Sequence, residues 1–253
     1  MRKLSIIGIG AGNPDHITVQ AINALRDIDL IFLIDKGDEK AELAQLRTDT
    51  CARYVKNPSC RIVTEKDPER DRSPADYGAA VIAWHAQRAT IYERMIREEL
   101  GDGQHGAFLV WGDPSLYDST LRIVDQVAAM NTVAFELDVI PGITSVQALA
   151  ARHKIALNTI GGPIYITTGR QLAKGMNGDN VVVMLDGECA FKTVTGSDVD
   201  IYWGAYVGTP DEILVSGKLS ECGPEIEKIR SDARARHGWI MDTYLLRKNY
   251  IVR

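Results

Sequence analysis

Residues 110–120, VWGDPSLYDST, run from a strand into a Gly-Asp-Pro corner and out onto a helix. Two further corners share this grammar, IIGIGAGNPDHIT at 6–18 and VIPGITSVQ at 139–147. Glycine lets the backbone approach a ligand closely and adopt positive φ, and proline sets the turn that follows. Asp118 or Ser119 can then cap the next helix. Gly112 and Asp113 thereby present main-chain groups at the carboxyl end of a strand, where open α/β sheets bind ligands. At the third corner Thr144 stands three residues before Gln147, the spacing of a capping box, with Ser145 as the alternative cap. Taken singly, the corners also read as an ordinary Asp-Pro turn and a plain helix start. Their recurrence suggests one small ligand held by several loops.

Other chemistries fit less well. Gly8 and Gly10 match the first two glycines of a dinucleotide fingerprint and Asp35 stands where a ribose-binding acid would, but the sixth position is Asn13 and Pro14-Asp15 intervene before the helix. No Gly-Lys-Ser or Gly-Lys-Thr occurs, and Gly217-Lys218-Leu219 lacks the magnesium-binding hydroxyl, which disfavours ATP hydrolysis. Cys51, Cys60, Cys189 and Cys222 lack paired spacing and the five histidines form no ligand motif. Reduced, buried thiols are expected and no metal. A net charge of -5 argues against nonspecific nucleic-acid binding.

The elements that must position these corners follow from periodicity. A chain of 253 residues, 45% hydrophobic and 25% charged, is globular and holds one or two domains. Leu4–Ile9 and LIFLI (30–34) are apolar on both faces, as strands of a covered parallel sheet are. Between them Val19, Ile22 and Leu25 recur at helical spacing behind Thr18, a plausible N-cap. One long helix is expected over Pro74–Leu100, stopped by Gly101, followed by strand GAFLVWG, helix TLRIVDQVAAM and strand VAFELDVIPG. Alternation of this kind indicates α/β layers. Beyond residue 141 five strands are expected (PIYITTG, NVVVML, DIYWGAYVG, EILVSGKL and GWIMDTYLL) with fewer helices, which implies a mixed sheet. The expected domains are 1–141 and 142–253. The N-terminal stretch reads as a first strand, not a signal peptide. No apolar run approaches the roughly 18 residues of a membrane span. A soluble, cytoplasmic protein without nucleic-acid or membrane partners is expected.

The order Gly-x-Gly-x-Gly at the N-terminus, Gly-Asp-Pro-x-x-Tyr at 112–117, Pro-Gly-Ile-Thr-Ser at 141–145 and Met184 in VVVML resembles the tetrapyrrole methylases, which use S-adenosylmethionine. Longer stretches, among them DKGDEKAEL, AFLVWGDPSLYDSTLR, YWGAYVGTPDEIL and GWIMDTYLLR, resemble a member that couples methylation to deacetylation. Asn13 departs from the family pattern, which has glycine there. The resemblance implies two α/β domains, mostly parallel then mixed, with the active site in the cleft between them, and a homodimer. It also implies a donor held by Gly112, Asp113, Leu116, Thr144, Ser145, Met184 and Ala205, released as S-adenosylhomocysteine, and a tetrapyrrole substrate touched by Gly10.

The activity so implied is methylation of carbon 1 of precorrin-5 with release of acetate, or methylation at another ring position. Methyl transfer needs alignment more than acid or base. Deacetylation needs a general base and an oxyanion partner. Asp15 and Tyr117 are the leading candidates, with His16 and Asp113 beside them. The substrate's carboxylates call for arginines, for which Arg170 is the first choice, with Arg70, Arg72 and Arg88 as further ones.

Overall fold

A computed structural model describes residues 1–35, 41–69, 76–195 and 198–248. The chain divides into two compact units, Met1–Gly10 with Pro14–Thr144, and Ala11–Asn13 with Ser145–Arg253.

Among the described residues of the first unit, β1 (Arg2–Gly8), β2 (Leu30–Asp35), β3 (Arg61–Lys66), β4 (His105–Val110) and β5 (Phe135–Ile140) form a parallel sheet in the order β3-β2-β4-β1-β5. Leu4, Ile6 and Ile7 are fully buried, because β1 lies inside the sheet between β4 and β5 and helices cover both faces. On one face α3 (Tyr77–Glu99) and α4 (Thr120–Met130) pack Tyr92, Met95, Ile123 and Val127 against Leu4, Phe32 and Phe108. Tyr92 stacks on Phe108 at 4.2 Å. On the other face α1 (Val19–Arg26) and α2 (Ala41–Tyr54) cover Ile7, Ile31 and Leu109. Thr18 caps α1, its hydroxyl oxygen accepting the Ala21 N–H at 3.1 Å.

The long helix is shorter than expected at both ends. Asp76, not Pro74, marks its start, and the Asp76 carboxylate accepts the Ala79 N–H at 3.0 Å. It ends at Glu99 with Leu100 as an extended cap. Gly101 takes no left-handed cap; its N–H donates to the Gln104 side chain at 2.7 Å.

Among the described residues of the second unit, β6 (Tyr165–Thr168), β7 (Asn180–Met184), β8 (Val199–Ala205), β9 (Ile213–Lys218) and β10 (Asp242–Lys248) form a sheet in the order β6-β7-β10-β8-β9. β6 and β7 are parallel, and β10 is antiparallel to both β7 and β8. Trp203, Tyr244 and Phe191 centre its core beneath α7 (Leu219–His237). Ala148 and Leu149 of α5 (Ser145–His153) pack with Ala11 and Val207. The 19-residue α7 lies where few helices were expected. Its buried stripe is Leu219, Gly223, Ile226, Arg230 and Ala233, so a glycine and a charge occupy positions a hydrophobic period would need. No described helix is long and apolar enough to cross a membrane.

Candidate active site

The register of the first sheet sets the carboxyl ends of β4, β1 and β5 side by side, pairing Gly8 with Val110 and Ile7 with Ile140. The loops leaving this edge interlock through glycines. A Cβ on Gly142 would overlap the Gly112 carbonyl oxygen, and one on Gly8 would lie 2.6 Å from the Gly142 nitrogen. Backbone packed on backbone therefore demands glycine at 8 and 142. Gly112 is different. Its N–H donates to the Gly10 carbonyl at 2.8 Å and its φ is +69°, while the nearest atom to an added Cβ is the Thr144 Cα at 3.7 Å. Here glycine serves the dihedral angle, and the space beside it is clear.

Asp113 braces this corner. One carboxylate oxygen accepts the Gly142 N–H at 2.8 Å, and the other accepts the Ser115 N–H at 2.8 Å together with the Ser115 hydroxyl. Partial burial works against the charge, but these bonds outweigh it and hold the carboxyl below its usual range. Leu116 is partly exposed beside it. Tyr117 stands 43% exposed in the left-handed region, φ 52°, a strain that collects at functional loops. Desolvation raises its phenol above the ordinary value. Ser119 occupies the N-cap of α4 without a side-chain capping bond, its hydroxyl accepting from Arg88 at 3.3 Å, and Asp118 serves instead, accepting the Thr120 N–H at 2.6 Å.

In the N-terminal loop the Asp15 carboxylate pairs with Arg53 at 2.7 Å on the exposed side. The Tyr54 hydroxyl donates to the Pro14 carbonyl at 3.0 Å. The Nδ1 of His16 is buried with no hydrogen-bond partner among the described residues. Gly10 lies under His16, since a Cβ there would meet the His16 carbonyl oxygen at 2.5 Å. Gly10 is buried and supports the loop; it presents no side-chain surface for a substrate.

In the second unit, Met184 and Ala205 lie at the carboxyl ends of β7 and β8. Across the sheet Thr168 pairs with Met184, Met184 with Thr243, and Thr243 with Gly204. The Ser145 hydroxyl meets that of Thr243 at 3.0 Å. Met184 and Ser145 are thus brought to one row. Ala205 ends β8 beside them but is fully enclosed. The residues that follow, Leu185 (φ 53°) and Tyr206 (φ 49°), are both left-handed, and Leu185 is 64% exposed. Arg170 is exposed in the first turn of α6 (Gly169–Leu172).

A buried network holds the 185–189 loop, and the sequence reading missed it. The Asp186 carboxylate accepts the Ala190 N–H at 2.7 Å and the Tyr244 hydroxyl at 2.6 Å. Arg230 donates to the carbonyls of Asp186 and Gly187, and to Asp242 at 3.0 Å. Asp242 also accepts the Trp203 N–H at 2.9 Å.

The family model for tetrapyrrole (corrin/porphyrin) methylases matches residues 3–223. The chain belongs to the tetrapyrrole methylases. Precorrin-6A synthase (deacetylating) of Sinorhizobium sp is 55% identical over 250 residues, spanning 98% of this chain and 96% of that protein. The crystal structure of a cobalamin synthesis related protein (CobF) from Corynebacterium diphtheriae superposes with a TM-score of 0.86 at 40% identity, over 98% of this chain and 99% of that one. Uroporphyrin-III C-methyl transferase from Thermus thermophilus, solved with S-adenyl homocysteine, has a TM-score of 0.62 at 16% identity over 96% and 91% of the two chains, a likeness of fold.

Of the arginines expected to meet the substrate, Arg88 is engaged elsewhere. Arg88 is buried and clamped by Asp67 through two bonds of 2.6 Å, so its charge is spent within the fold. Arg70 and Arg72 lie outside the described residues. No group of three or more His, Cys, Asp or Glu able to hold a metal occurs among the described residues.

Proposed function

We infer that this tetrapyrrole methylase transfers a methyl group from S-adenosylmethionine to carbon 1 of precorrin-5 and releases the acetyl group as acetate, giving precorrin-6A in the aerobic route to cobalamin. The observation that carries this reading is the 55% identity to precorrin-6A synthase (deacetylating) over nearly the whole of both chains.

We assign donor binding to Gly112, Asp113, Leu116 and Thr144 in the first unit, and to Ser145 and Met184 in the second, with Ala205 as packing behind them. The clear space beside Gly112 and the left-handed Tyr117, Leu185 and Tyr206 support this assignment. The ring carbon attacks the methyl carbon as the methyl–sulfur pair leaves with sulfur, giving S-adenosylhomocysteine. Held alignment is the main demand, and orientation can supply about 7–11 kcal/mol.

For deacetylation, water attacks the acetyl carbonyl, the bond to the ring carbon breaks with its electron pair passing to the macrocycle, and acetate departs. Asp15 is committed to Arg53. His16, whose Nδ1 no described residue uses, is the better base. Tyr117, kept protonated, suits the oxyanion as a hydrogen-bond donor. Arg170 is assigned to a pigment carboxylate.

A homodimer fits the apolar residues left on edge strands, Leu137 and Val139 on β5 and Tyr165 and Ile166 on β6. A cytoplasmic site of action fits four cysteines that form no disulfide.

The test is incubation with precorrin-5 and methyl-labelled donor, with mass analysis of the pigment and assay of acetate. One methyl gained with one acetate released is expected. Methylation without acetate would assign another ring position; no methylation would overturn the reading. Loss of acetate release with His16→Gln, at unchanged affinity for S-adenosylhomocysteine, would place the base.

A further inference from the structure

Arg47 of α2 carries a buried Nε that finds no hydrogen-bond acceptor among the described residues. It faces a cavity of about 30 Å³ whose lining includes Arg88, Tyr92, Asp118, Thr120 and Phe108. Its neighbours are already engaged. Arg88 is matched by Asp67, and Asp118 accepts the Thr120 N–H. Burial pushes the Tyr92 phenol up to about 12, so it is neutral. Burial also weakens the hold of Arg47 on its proton, and nearby Tyr92 and Asp118 offset this only in part. Guanidinium nevertheless remains charged at neutral pH. Among the described residues the buried Nε of this partly buried guanidinium has no acceptor, an arrangement that costs free energy, and an anion with paired acceptors would satisfy it.

The place is also one where ligands enter. β2 and β4 are hydrogen-bonded neighbours, with Phe32 opposite Phe108. The chain leaving β2 runs to β3 on one side, and that leaving β4 runs to β5 on the other. Connections that diverge beyond the carboxyl ends of adjacent parallel strands open a crevice. The cavity is lined there by Leu33 and Ile34 of β2 and by Leu109 of β4. One water needs about 10–15 Å³ of such space, so the cavity accommodates two oxygen-sized groups, as in a carboxylate.

We propose that Arg47, over the crevice between β2 and β4, forms a carboxylate-binding site within the first unit. The inference rests on the reading of the chain as a methylase that deacetylates a carboxylate-bearing pigment. Two sources share this chemistry, a side-chain carboxylate of the pigment and the acetate set free.

Two measurements made without methyl donor read the site independently of turnover: absorbance titration with precorrin-5, and the line width of carbon-13 acetate. Arg47→Gln removes the charge and Arg47→Lys keeps it without the fork. If the pigment is the source, Arg47→Gln weakens precorrin-5 binding about tenfold or more, Arg47→Lys recovers part of it, and acetate is not broadened. If free acetate is the source, wild type broadens acetate, both variants broaden it less, and pigment binding is unchanged. Calorimetry with S-adenosylhomocysteine checks folding; if Arg47→Gln fails that check, Arg47→Lys alone decides. Unchanged binding of both probes in the folded variants, or binding of neither by wild type, overturns the site and leaves water in the cavity. Should wild type bind precorrin-5 yet release no acetate on turnover, the assigned reaction falls while the titration still judges Arg47.

Discussion

The Asp113 carboxylate accepts the backbone N–H of Gly142 at 2.8 Å, tying the loop after β4 to the loop after β5. The charge that the Gly-Asp-Pro motif advertises therefore works inward, and the proposed donor site relies on the main chain and on the space beside Gly112. Asp113→Asn weakens bonds of the charge-assisted kind, worth about 1.5–3 kcal/mol, so donor affinity measured by calorimetry should fall about tenfold. Because the folded carboxyl titrates below its unfolded value of about 3.9, its contribution is complete above that value and is lost as pH falls through the lower folded one. Acid denaturation should show this loss in wild type and not in Asp113→Asn.

Gly142→Ala and Gly112→Ala separate packing from dihedral strain. The first drives a methyl into the Gly112 carbonyl and the backbone of Gly8, and chemical denaturation should show a loss of at least about 1–3 kcal/mol. The second has room and meets only its φ of +69°, a cost of about 1–2 kcal/mol, but its methyl would enter the space proposed for the donor. It should lose more donor affinity than stability. The reverse order would remove the donor from this corner.

Arg230→Met leaves Asp242 buried without its cation. Breaking a buried pair on one side costs about 3–5 kcal/mol, so the melting temperature should drop sharply. Since Arg230 also holds the carbonyls of Asp186 and Gly187, the KM for S-adenosylmethionine should rise with it in whatever fraction remains folded.

Arg170→Ala should raise the KM for the pigment and leave that for the donor within about twofold, a charge-assisted contact being worth about tenfold or more. A larger effect on the donor would take Arg170 out of the carboxylate role.

Burial raises the Cys51 thiol to about 11. Thiolate is the reactive form, so a disulfide reagent at pH 8 should leave Cys51 unlabelled in the native protein. Labelling should appear only as the pH nears 11 or on unfolding. Cys60 and Cys222 are only partly buried and should label first, which departs from the expectation that all four thiols are buried.

Strands were the most legible elements, because β1, β2 and β7 are apolar on both faces and bounded by glycine or charge. Helix α4 was read with its observed ends, its apolar face being uninterrupted. β3, with exposed Arg61 and Ile62 and only every second later side chain partly covered, gave too weak a period, and α7 hid behind Gly223, Pro224 and Arg230. At the site, the corners were visible as glycine and proline spacing. The reason for Gly8 and Gly142 was not, since it depends on three segments far apart in sequence meeting at the ends of β4, β1 and β5. Arg88 looked available for a ligand because nothing in its own helix announces Asp67, which lies 21 residues earlier. The network of Asp186, Arg230, Asp242 and Tyr244 joins three separate segments, a kind of pairing that periodicity does not encode.

Ala11–Asn13 belongs with the second unit although Gly10 and Pro14 belong with the first. Ala11 packs with Ala148, Leu149 and Val207, and a Cβ on Gly12 would touch the Thr209 side chain at 2.7 Å. A fragment begun at Ser145 would therefore lack a piece of its own interior and expose Leu149 and Val207 to water. During synthesis this patch can close only on a tripeptide made more than a hundred residues earlier, so the C-terminal half is completed by a part of the chain that leaves the ribosome among the first.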